Sequence, residues 1–268
     1  MITQNEKKII VYFDIDGTLI DSANSIALSQ ATADAIAELK RRGHLVAVNT
    51  GRSYAFIPPE VRALDFDACI AGCGTYISYR GETILNEYFS HADVDRIISA
   101  FRAERLDMIL EGPEHVYLEA VGFDPLMMAD SRHLFHESHS LKTLPQETVR
   151  ANKISFMVKS GEKDRRIRES LKDLLHFILY PYELREGMPH GFTKASGMDV
   201  LERVIGGEVR SYAFGDSVND LDMLQRANVG IAMGNGQESA KAVSDLVAPP
   251  LAENGIARML KQLKLIEG

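Results

Sequence analysis

The pair Asp14 and Asp16 is the feature of this sequence from which its chemistry can first be inferred. The five apolar or aromatic residues 9–13 precede the pair and predict a strand that is buried on both faces. Because side chains two positions apart on an extended backbone point the same way, the two carboxylates would lie together, and Gly17 with Thr18 permits a sharp turn. Two anions that close repel each other unless a cation lies between them. The pair therefore predicts a cation site at a strand end, although an acidic turn after a core strand has the same local pattern.

Polar side chains recur after other apolar segments that we predict to be strands. Functional groups in an open parallel sheet gather at the carboxyl ends of its strands. Several carboxylates brought together there would be tolerated poorly without a hard divalent cation, for which Mg²⁺ with oxygen ligands is the natural candidate. A lysine and a threonine hydroxyl at the same edge could bind phosphate oxygens. The residues predicted to meet are Asp14, Asp16, Thr50, Lys194, Asp216, Asn219 and Asp220.

Phosphoryl transfer to a carboxylate is the reaction that suits this set. Asp14 would attack phosphorus in line and form an aspartyl-phosphate, while Mg²⁺, Lys194 and Thr50 stabilise charge on the equatorial oxygens. Asp16 would protonate the leaving alcohol and then activate the water that hydrolyses the intermediate. Taken alone, Thr50 is better explained as a helix cap and Lys194 as a solvated charge, and only their places in the ordered set favour catalysis.

Strands and helices alternate at both ends of the chain, which is the arrangement that would position these residues. Such alternation implies crossover connections and a parallel sheet. The first helix has Ser29 as a candidate N-cap and ends at Gly43. The predicted helices are 30–43, 194–204, 221–227, 239–243 and 255–265, and the predicted strands are 9–13, 45–53, 68–72, 209–216 and 229–233.

The pattern changes beyond Gly74, where we expect a different unit to begin. A hairpin through Arg80 and Gly81 comes first. Further elements are predicted as helices near 93–105, 125–135 and 164–175, strands near 108–110, 116–121 and 153–158, and a loop at 136–150. The predicted fold class is α/β, with a Rossmann-like parallel-sheet core at 1–81 and 189–268 and an inserted α+β cap domain at 82–188.

Four segments of the chain resemble, in order, the four motifs of the haloacid dehalogenase superfamily. These are 14–18, 49–52, Lys194 and 215–220, and the later segments 231–236 and 253–256 resemble the Cof-like sugar-phosphatase branch. That branch carries an α/β cap between its second and third motifs, where this chain has its insert. The segment 73–75, Cys-Gly-Thr, departs from the Asn-Gly-Ala usual in the branch.

The resemblance implies a Mg²⁺-dependent phosphatase that acts on a small phosphorylated metabolite. It implies that Asp14 and Asp216 bind the metal through their side chains and Asp16 through its backbone carbonyl. Asn219 and Asp220 would support the metal or its waters. The candidates for contact with the substrate are Gly51, Arg52 and Asn219, and Arg52 is equally consistent with a structural ion pair.

The composition argues against several other classes of protein. The net charge of -8 disfavours a general nucleic-acid binder, since that function depends on clustered Lys and Arg. No apolar run reaches the roughly 18 residues that cross a bilayer, and the N-terminal residues have no signal-peptide pattern. We therefore expect a cytoplasmic protein with neither nucleic-acid nor membrane partners. Cys69 and Cys73 lack the spacing of a zinc site and are predicted to be reduced packing residues.

Two alternatives share the predicted site. A phosphomutase would return the phosphoryl group to a sugar instead of to water, and a receiver-like module would be phosphorylated on an aspartate as a signal. The receiver does not need the acid-base chemistry of Asp16 or a large cap. Within the cap we expect surface positions for most basic and histidine side chains and packing positions for two methionines: Arg132, Arg150 and Lys153 on solvated faces, His133, His136 and His139 on the surface, and Met127 and Met128 inside.

Overall fold

The computed structural model describes residues 8–21, 24–118, 141–144 and 148–267. Its strands are β1 (Lys8–Phe13), β2 (Leu45–Asn49), β3 (Ala68–Ala71), β4 (Tyr76–Tyr79), β5 (Glu82–Asn86), β6 (Ile109–Glu111), β7 (Val116–Leu118), β8 (Leu141–Thr143), β9 (Lys153–Met157), β10 (Leu175–Leu179), β11 (Leu184–Pro189), β12 (Val209–Gly215), β13 (Val229–Ala232) and β14 (Leu246–Val247). Its helices are α1 (Gln30–Arg41), α2 (Pro59–Arg62), α3 (His91–Glu104), α4 (Gly161–Leu171), α5 (Lys194–Ile205), α6 (Leu221–Arg226), α7 (Glu238–Val243) and α8 (Gly255–Gln262).

The larger sheet runs in the order β14-β13-β12-β1-β2-β3-β4-β5 and is parallel from β14 to β3. Its central strand, β1, lies between β2 and β12. The last four residues of β1 are buried, as the apolar segment 9–13 predicts. Apolar clusters cover both faces of this sheet, one containing Phe13 and Phe214 and the other Tyr12 and Met198. The predicted parallel α/β core is therefore confirmed.

The hairpin of β4 and β5 extends the larger sheet and does not start the second one. β4 pairs antiparallel with β3, and β5 pairs antiparallel with β4. The turn has positive φ at both Arg80 (51°) and Gly81 (83°), as a two-residue hairpin of type I′ requires, so the predicted hairpin is confirmed. The hairpin stays with this sheet because Ile77 is buried in the cluster that also contains Ile70. The predicted cap range 82–188 thus begins with a strand that belongs to the larger sheet.

The smaller sheet, in the order β10-β11-β9-β6-β7-β8, lies within the predicted cap range apart from Pro189 at the end of β11. One of its faces packs against α3 and α4, in a cluster that includes Phe101, Phe156 and Leu171. On its other face, Ile109 and its neighbours pack against Phe56 of the core. The sheet therefore has one face for its own helices and one that contacts the core. Several predictions fall outside the described residues: the helix 125–135 and the positions of Met127, Met128, Arg132, His133, His136 and His139.

The helices follow the sequence patterns closely. α1 begins after Ser29, whose side chain accepts a hydrogen bond from the backbone N–H of Thr32, so the predicted N-cap is confirmed. α4 ends at Leu171, four residues before the predicted end at 175, because β10 already begins at Leu175. In the part of the chain that the structure describes, no helix combines the length and the apolar character needed to cross a membrane.

Helix α5 begins with a reciprocal cap that fixes the residue before Lys194. The Thr193 hydroxyl accepts from the Ser196 backbone N–H at 3.1 Å, and the Ser196 hydroxyl accepts from the Thr193 N–H at 2.8 Å. This capping box satisfies N–H groups that the first helical turn leaves free. The start of α5, and with it Lys194, is therefore set by local hydrogen bonds.

We expect Thr193→Ala to lower the free energy of unfolding by about 1 kcal/mol, because it removes the acceptor for Ser196, with a drop of about 2–4 °C in the unfolding midpoint. The control is Thr193→Ser, which keeps a hydroxyl and should lose little. Thermal unfolding followed by circular dichroism measures both variants. Equal midpoints for the Ala and Ser variants would contradict the capping role.

Candidate active site

Three neighbouring strands of the larger sheet end at the same level, and their ends carry the predicted site residues. Phe13 at the end of β1 is paired with Val48 in β2 and with Phe214 in β12. Asp14 follows directly after Phe13 and is 3% exposed. Thr50 and Asp216 lie just beyond the ends of β2 and β12. The parallel register therefore brings residues from three distant parts of the chain to one edge.

The Lys194 ammonium joins two buried carboxylates. Its Nζ lies 2.6 Å from Asp14 Oδ1 and 2.6 Å from Asp220 Oδ1, and the Lys194 side chain is fully buried. A buried charge is stable only when it is paired and hydrogen-bonded. Although burial disfavours the charged form, Asp14 and Asp220 raise the pKa of Lys194 above its usual value. Lys194 is therefore a fixed positive charge beside Asp14.

Asp220 also closes the turn that follows β12. Its Oδ2 accepts the backbone N–H of Asp216 at 2.8 Å and that of Ser217 at 3.0 Å. A Cβ on Gly215 would lie 2.6 Å from the Asp220 Cγ, so a larger residue at 215 would displace this carboxylate. Both Asp220 oxygens are thus occupied within the chain, one by Lys194 and one by the turn, and Asp220 holds other groups in place.

Negative charge exceeds positive charge around Lys194. Ligand atoms of Asp14, Asp216 and Asp220 all lie within 4.8 Å of one another. Burial, with the nearby carboxylates, raises the pKa of Asp216 to about 9. Burial also raises the pKa of Asp14 to about 7, against the opposing effect of Lys194. Three carboxylates and one ammonium have a net charge of -2 when all are ionised, which a divalent cation would balance.

The donor set also fits a metal ion. The Asp216 Oδ1 atom is buried and has no hydrogen-bond partner among the described residues. Buried polar atoms almost always have a partner, so an unpaired carboxylate oxygen between acids is the atom a cation would bind. Gly17 keeps this space open, because a Cβ there would lie 2.3 Å from Asp216 Oδ2. Asp14 and Asp216 therefore fit a hard divalent ion through oxygen.

Asp16 lies outside this cluster and has a partner of its own. Arg52 donates from Nε to Asp16 Oδ2 at 2.7 Å and from Nη2 to Asp16 Oδ1 at 2.6 Å. Arg52 also donates to the Phe56 carbonyl at 3.1 Å, which anchors the guanidinium. The Asp16 side chain is 51% exposed. Of the two roles left open for Arg52, the structure has the ion pair, and this pair orients Asp16 rigidly beside the cluster.

The turn after β2 carries the remaining predicted contacts. Thr50 is 1% exposed, and its hydroxyl accepts the Arg52 backbone N–H at 3.1 Å. A Cβ on Gly51 would lie 2.9 Å from the Asn219 amide nitrogen, so the lack of a side chain at 51 lets Asn219 approach. Asn219 accepts from the Ser217 hydroxyl at 2.8 Å. The structure thus places Gly51 beside Asn219, which lies in the same turn as Asp216 and Asp220 of the acidic cluster.

Lys153 is the clearest correction to the sequence predictions. We expected a solvated side chain, and the structure buries it to 2% exposure between Glu111, Glu186 and the Gly51 carbonyl. It can be buried because the two carboxylates and the carbonyl replace water. The available signal was the alternation of Lys153 and Ser155 on one face of an otherwise apolar strand.

Other predictions for single residues have clear outcomes. Cys69 and Cys73 are buried free thiols, as predicted. Arg150 is exposed, as predicted, and its guanidinium lies 5.7 Å from the Tyr88 ring centroid. Asn235 was missed: its side chain donates to the Gly17 carbonyl at 2.8 Å and accepts from the Leu251 N–H at 2.7 Å, which holds the turn after Asp16.

Comparison with known proteins identifies the family. The profile of the haloacid dehalogenase-like hydrolases matches residues 11–260. The chain belongs to the haloacid dehalogenase superfamily. The resemblance of the four motifs to this superfamily is therefore confirmed. This haloacid dehalogenase-like protein is a phosphoric monoester hydrolase, and its class acts on small phosphorylated molecules.

Individual relatives agree with this assignment along nearly the whole chain. YkrA of Bacillus subtilis (strain 168), whose name describes a phosphatase, is 28% identical, with 96% of this chain and 98% of YkrA covered. YitU of the same organism is named 5-amino-6-(5-phospho-D-ribitylamino)uracil phosphatase and is 26% identical, with coverage of 96% and 97%. The solved structure of a subclass IIB sugar phosphatase has a TM-score of 0.83 at 23% identity, covers 97% of this chain and 100% of its own, and shows the shared fold.

We expect the stability of this hydrolase in EDTA to fall as the pH rises from about 5 to about 9. The folded Asp14 and Asp216 carboxyls, with pKa values of about 7 and about 9, keep protons that the unfolded chain has already released, so rising pH favours unfolding. Saturating MgCl₂ should oppose this loss of stability, by about 2.7 kcal/mol when the Mg²⁺ concentration is 100 times the Kd. The effect should be larger at high pH, where the ligands are deprotonated. Differential scanning fluorimetry measures both effects.

The matched variants are Asp216→Asn and Asp95→Asn, the second on the exposed surface of α3. Asp216→Asn should raise the unfolding midpoint in EDTA at high pH, because it removes an unfavourable buried charge, and it should abolish most of the Mg²⁺ shift. Asp95→Asn should change neither. A full Mg²⁺ shift in Asp216→Asn would remove Asp216 from the metal site.

Proposed function

We propose that the protein is a Mg²⁺-dependent phosphatase that hydrolyses a small phosphorylated metabolite through an aspartyl-phosphate on Asp14. The observation that supports this most directly is the separate pairing of two neighbouring carboxylates. Asp14 is buried against Lys194, whereas Asp16 is half-exposed and held by Arg52. This difference in surroundings supports a role for Asp14 as the nucleophile beside a fixed positive charge and for Asp16 as the proton carrier.

In the first step, an Asp14 oxygen attacks phosphorus and the bond from phosphorus to the leaving alcohol oxygen breaks. The leaving oxygen takes a proton from Asp16, so the product is a neutral alcohol. Lys194 and the Thr50 hydroxyl donate to the non-bridging phosphoryl oxygens, where charge is greatest in the transition state. We assign contacts with the substrate to Gly51, Arg52 and Asn219; Gly51 lies next to Asn219 in the structure.

In the second step, water hydrolyses the aspartyl-phosphate. Asp16 takes a proton from the water as its oxygen attacks phosphorus, and the bond from phosphorus to the Asp14 oxygen breaks. Inorganic phosphate leaves, and the Asp14 carboxylate is restored. In the free enzyme both Asp16 oxygens accept from Arg52, which keeps the carboxylate in one orientation. Asp16 gives up one of these bonds when it carries a proton, and the same carboxyl group then serves both steps.

Magnesium is the proposed cofactor. We assign Asp14 and Asp216 as its side-chain ligands, the Asp16 carbonyl as a further ligand, and Asn219 and Asp220 as supports for the metal or its waters. When bound, the ion would supply positive charge for the phosphoryl oxygens and for the net -2 cluster. The proposed core, 1–81 and 189–268 together with β5, carries this site. The rest of the proposed cap range 82–188 would cover the site and exclude bulk water.

The proposed substrate class is a phosphate monoester of a small, polyhydroxylated or sugar-like alcohol. The name of YitU describes a phosphatase for a phosphorylated ribitylamino compound. A phosphate release screen should therefore include that compound beside hexose and pentose phosphates.

We expect Mg²⁺-dependent release of inorganic phosphate from at least one compound of this panel, and no release above background for Asp14→Asn, because the amide cannot attack phosphorus. Phosphate release is measured colorimetrically, with and without EDTA. Transfer of phosphate to a second position of the same sugar would indicate a mutase. Stable phosphorylation of the protein by an acyl phosphate, without turnover, would indicate a receiver.

We expect Asp16→Asn to separate the two steps when p-nitrophenyl phosphate is the substrate. Its leaving group needs little protonation, so the first step should continue, while hydrolysis of the intermediate should slow by about 10²- to 10⁴-fold. Rapid-mixing absorbance should then show a burst of p-nitrophenolate close to one equivalent of enzyme. A linear trace at the wild-type rate would contradict the role of Asp16.

A further inference from the structure

The cap sheet carries a buried polar cluster that the proposed chemistry does not use. Lys153 on β9 lies opposite Glu111 on β6, and Ser155 lies opposite Glu186 on β11, so the four side chains share one face. All four are buried, with exposures of 2–7%. This is the sheet face that packs against the core. A polar cluster buried at that contact is expected to have a role in how the two sheets meet.

Lys153 has partners on both sides of the contact. Within the cap it is paired with Glu186 and lies 3.5 Å from Glu111 Oε1. Tyr180 donates to the other Glu186 oxygen at 3.0 Å, which leaves no Glu186 oxygen without a partner. Across the contact, Lys153 Nζ donates to the Gly51 carbonyl oxygen at 2.7 Å. Although burial would lower the pKa of Lys153, Glu111 and Glu186 raise it, so the ammonium that reaches Gly51 is charged.

The Gly51 carbonyl belongs to the peptide group that also contains the Arg52 N–H. That N–H donates to the Thr50 hydroxyl oxygen at 3.1 Å. The peptide between Gly51 and Arg52 is thus held at its oxygen by the cap and at its nitrogen by Thr50. Because the Thr50 hydroxyl accepts this bond, its own hydrogen is left to be donated to another group.

We propose that Lys153 is a positioning residue for the phosphatase reaction, which orients the Gly51–Arg52 peptide and, through it, the Thr50 hydroxyl and the Arg52 side chain. This inference rests on the proposed function. It also ties the position of the cap to the catalytic turn, because the Lys153 contact exists only when the cap sheet lies against the core. The same peptide leads into the guanidinium that holds Asp16.

The test uses a double variant in which the net charge of Lys153, Glu111 and Glu186 stays at the wild-type value of -1, which one ammonium and two carboxylates give. Lys153→Met alone would leave Glu111 and Glu186 without their cation, so it is combined with Glu186→Gln, which can still accept from Tyr180. The reference is Glu186→Gln alone, which keeps Lys153 and its bond to Gly51. Lys159→Met, an exposed lysine of the same cap, controls for the loss of a lysine. Should the double variant lose its fold by circular dichroism, Lys153→Gln with Glu186→Gln takes its place.

We expect kcat of the double variant to be about 10- to 100-fold below that of Glu186→Gln, as for a small misplacement of reacting groups. The decisive measurement repeats the comparison in a Thr50→Val background, where the Lys153 effect should become clearly smaller because one of the two groups it orients, the Thr50 hydroxyl, is absent. A merely structural role would lower the unfolding midpoint and leave the Lys153 and Thr50 effects additive. Additive effects, or an unchanged kcat, would overturn the proposal.

Failure of the proposed function would be seen before these variants are compared, because wild-type protein would then have no Asp14-dependent turnover. Titration of inorganic phosphate with Mg²⁺ by calorimetry gives a second readout that needs no turnover. The Kd for phosphate should rise by about 10-fold in the double variant relative to Glu186→Gln, since the Thr50 donor is misplaced. An unchanged Kd would count against the role of Lys153, whatever the substrate.

Discussion

The Lys194 ammonium between Asp14 and Asp220 is the interaction on which the site depends. All three groups are buried, so each charge is tolerated only because the others are within hydrogen-bond distance. The lysine is the first residue of α5, whereas Asp14 directly follows β1 and Asp220 lies in the turn between β12 and α6. Lys194 and Asp14 are 180 residues apart in the chain, so these two ionic contacts join distant segments at one site.

The cluster around Lys194 is short of positive charge, with one ammonium against three carboxylates. Burial, together with the neighbouring carboxylates, raises the pKa of Asp216 to about 9. Glycines at 17 and 215 permit the carboxylates to approach the neighbouring backbone. The proposed cation would bind in this buried volume, where electrostatic effects are large.

The smaller sheet, which belongs to the proposed cap, makes both an apolar and a polar contact with the core. This sheet has an apolar face against its own helices, and a second face on which Ile109 packs against Phe56 while Lys153 reaches Gly51. The apolar contact gives little orientational preference, whereas a hydrogen bond from an ammonium to one carbonyl does. Specific docking of the cap is therefore attributable to the polar part of the contact.

The sequence alone was sufficient to predict the parallel core and the strand ends that carry the site. A buried strand followed by Asp14, and later strands followed by Thr50 and Asp216, implied one shared edge because parallel strands end on the same side. Which distant groups contact each other was decided only by the tertiary structure. One partner of Lys153 is the Gly51 backbone carbonyl, 102 residues away, which no side-chain pattern indicates. The β4–β5 hairpin likewise joined the core through burial of Ile77, a packing choice that local periodicity does not encode. Both contacts depend on how distant parts of the chain pack against each other, which is a property of the folded protein.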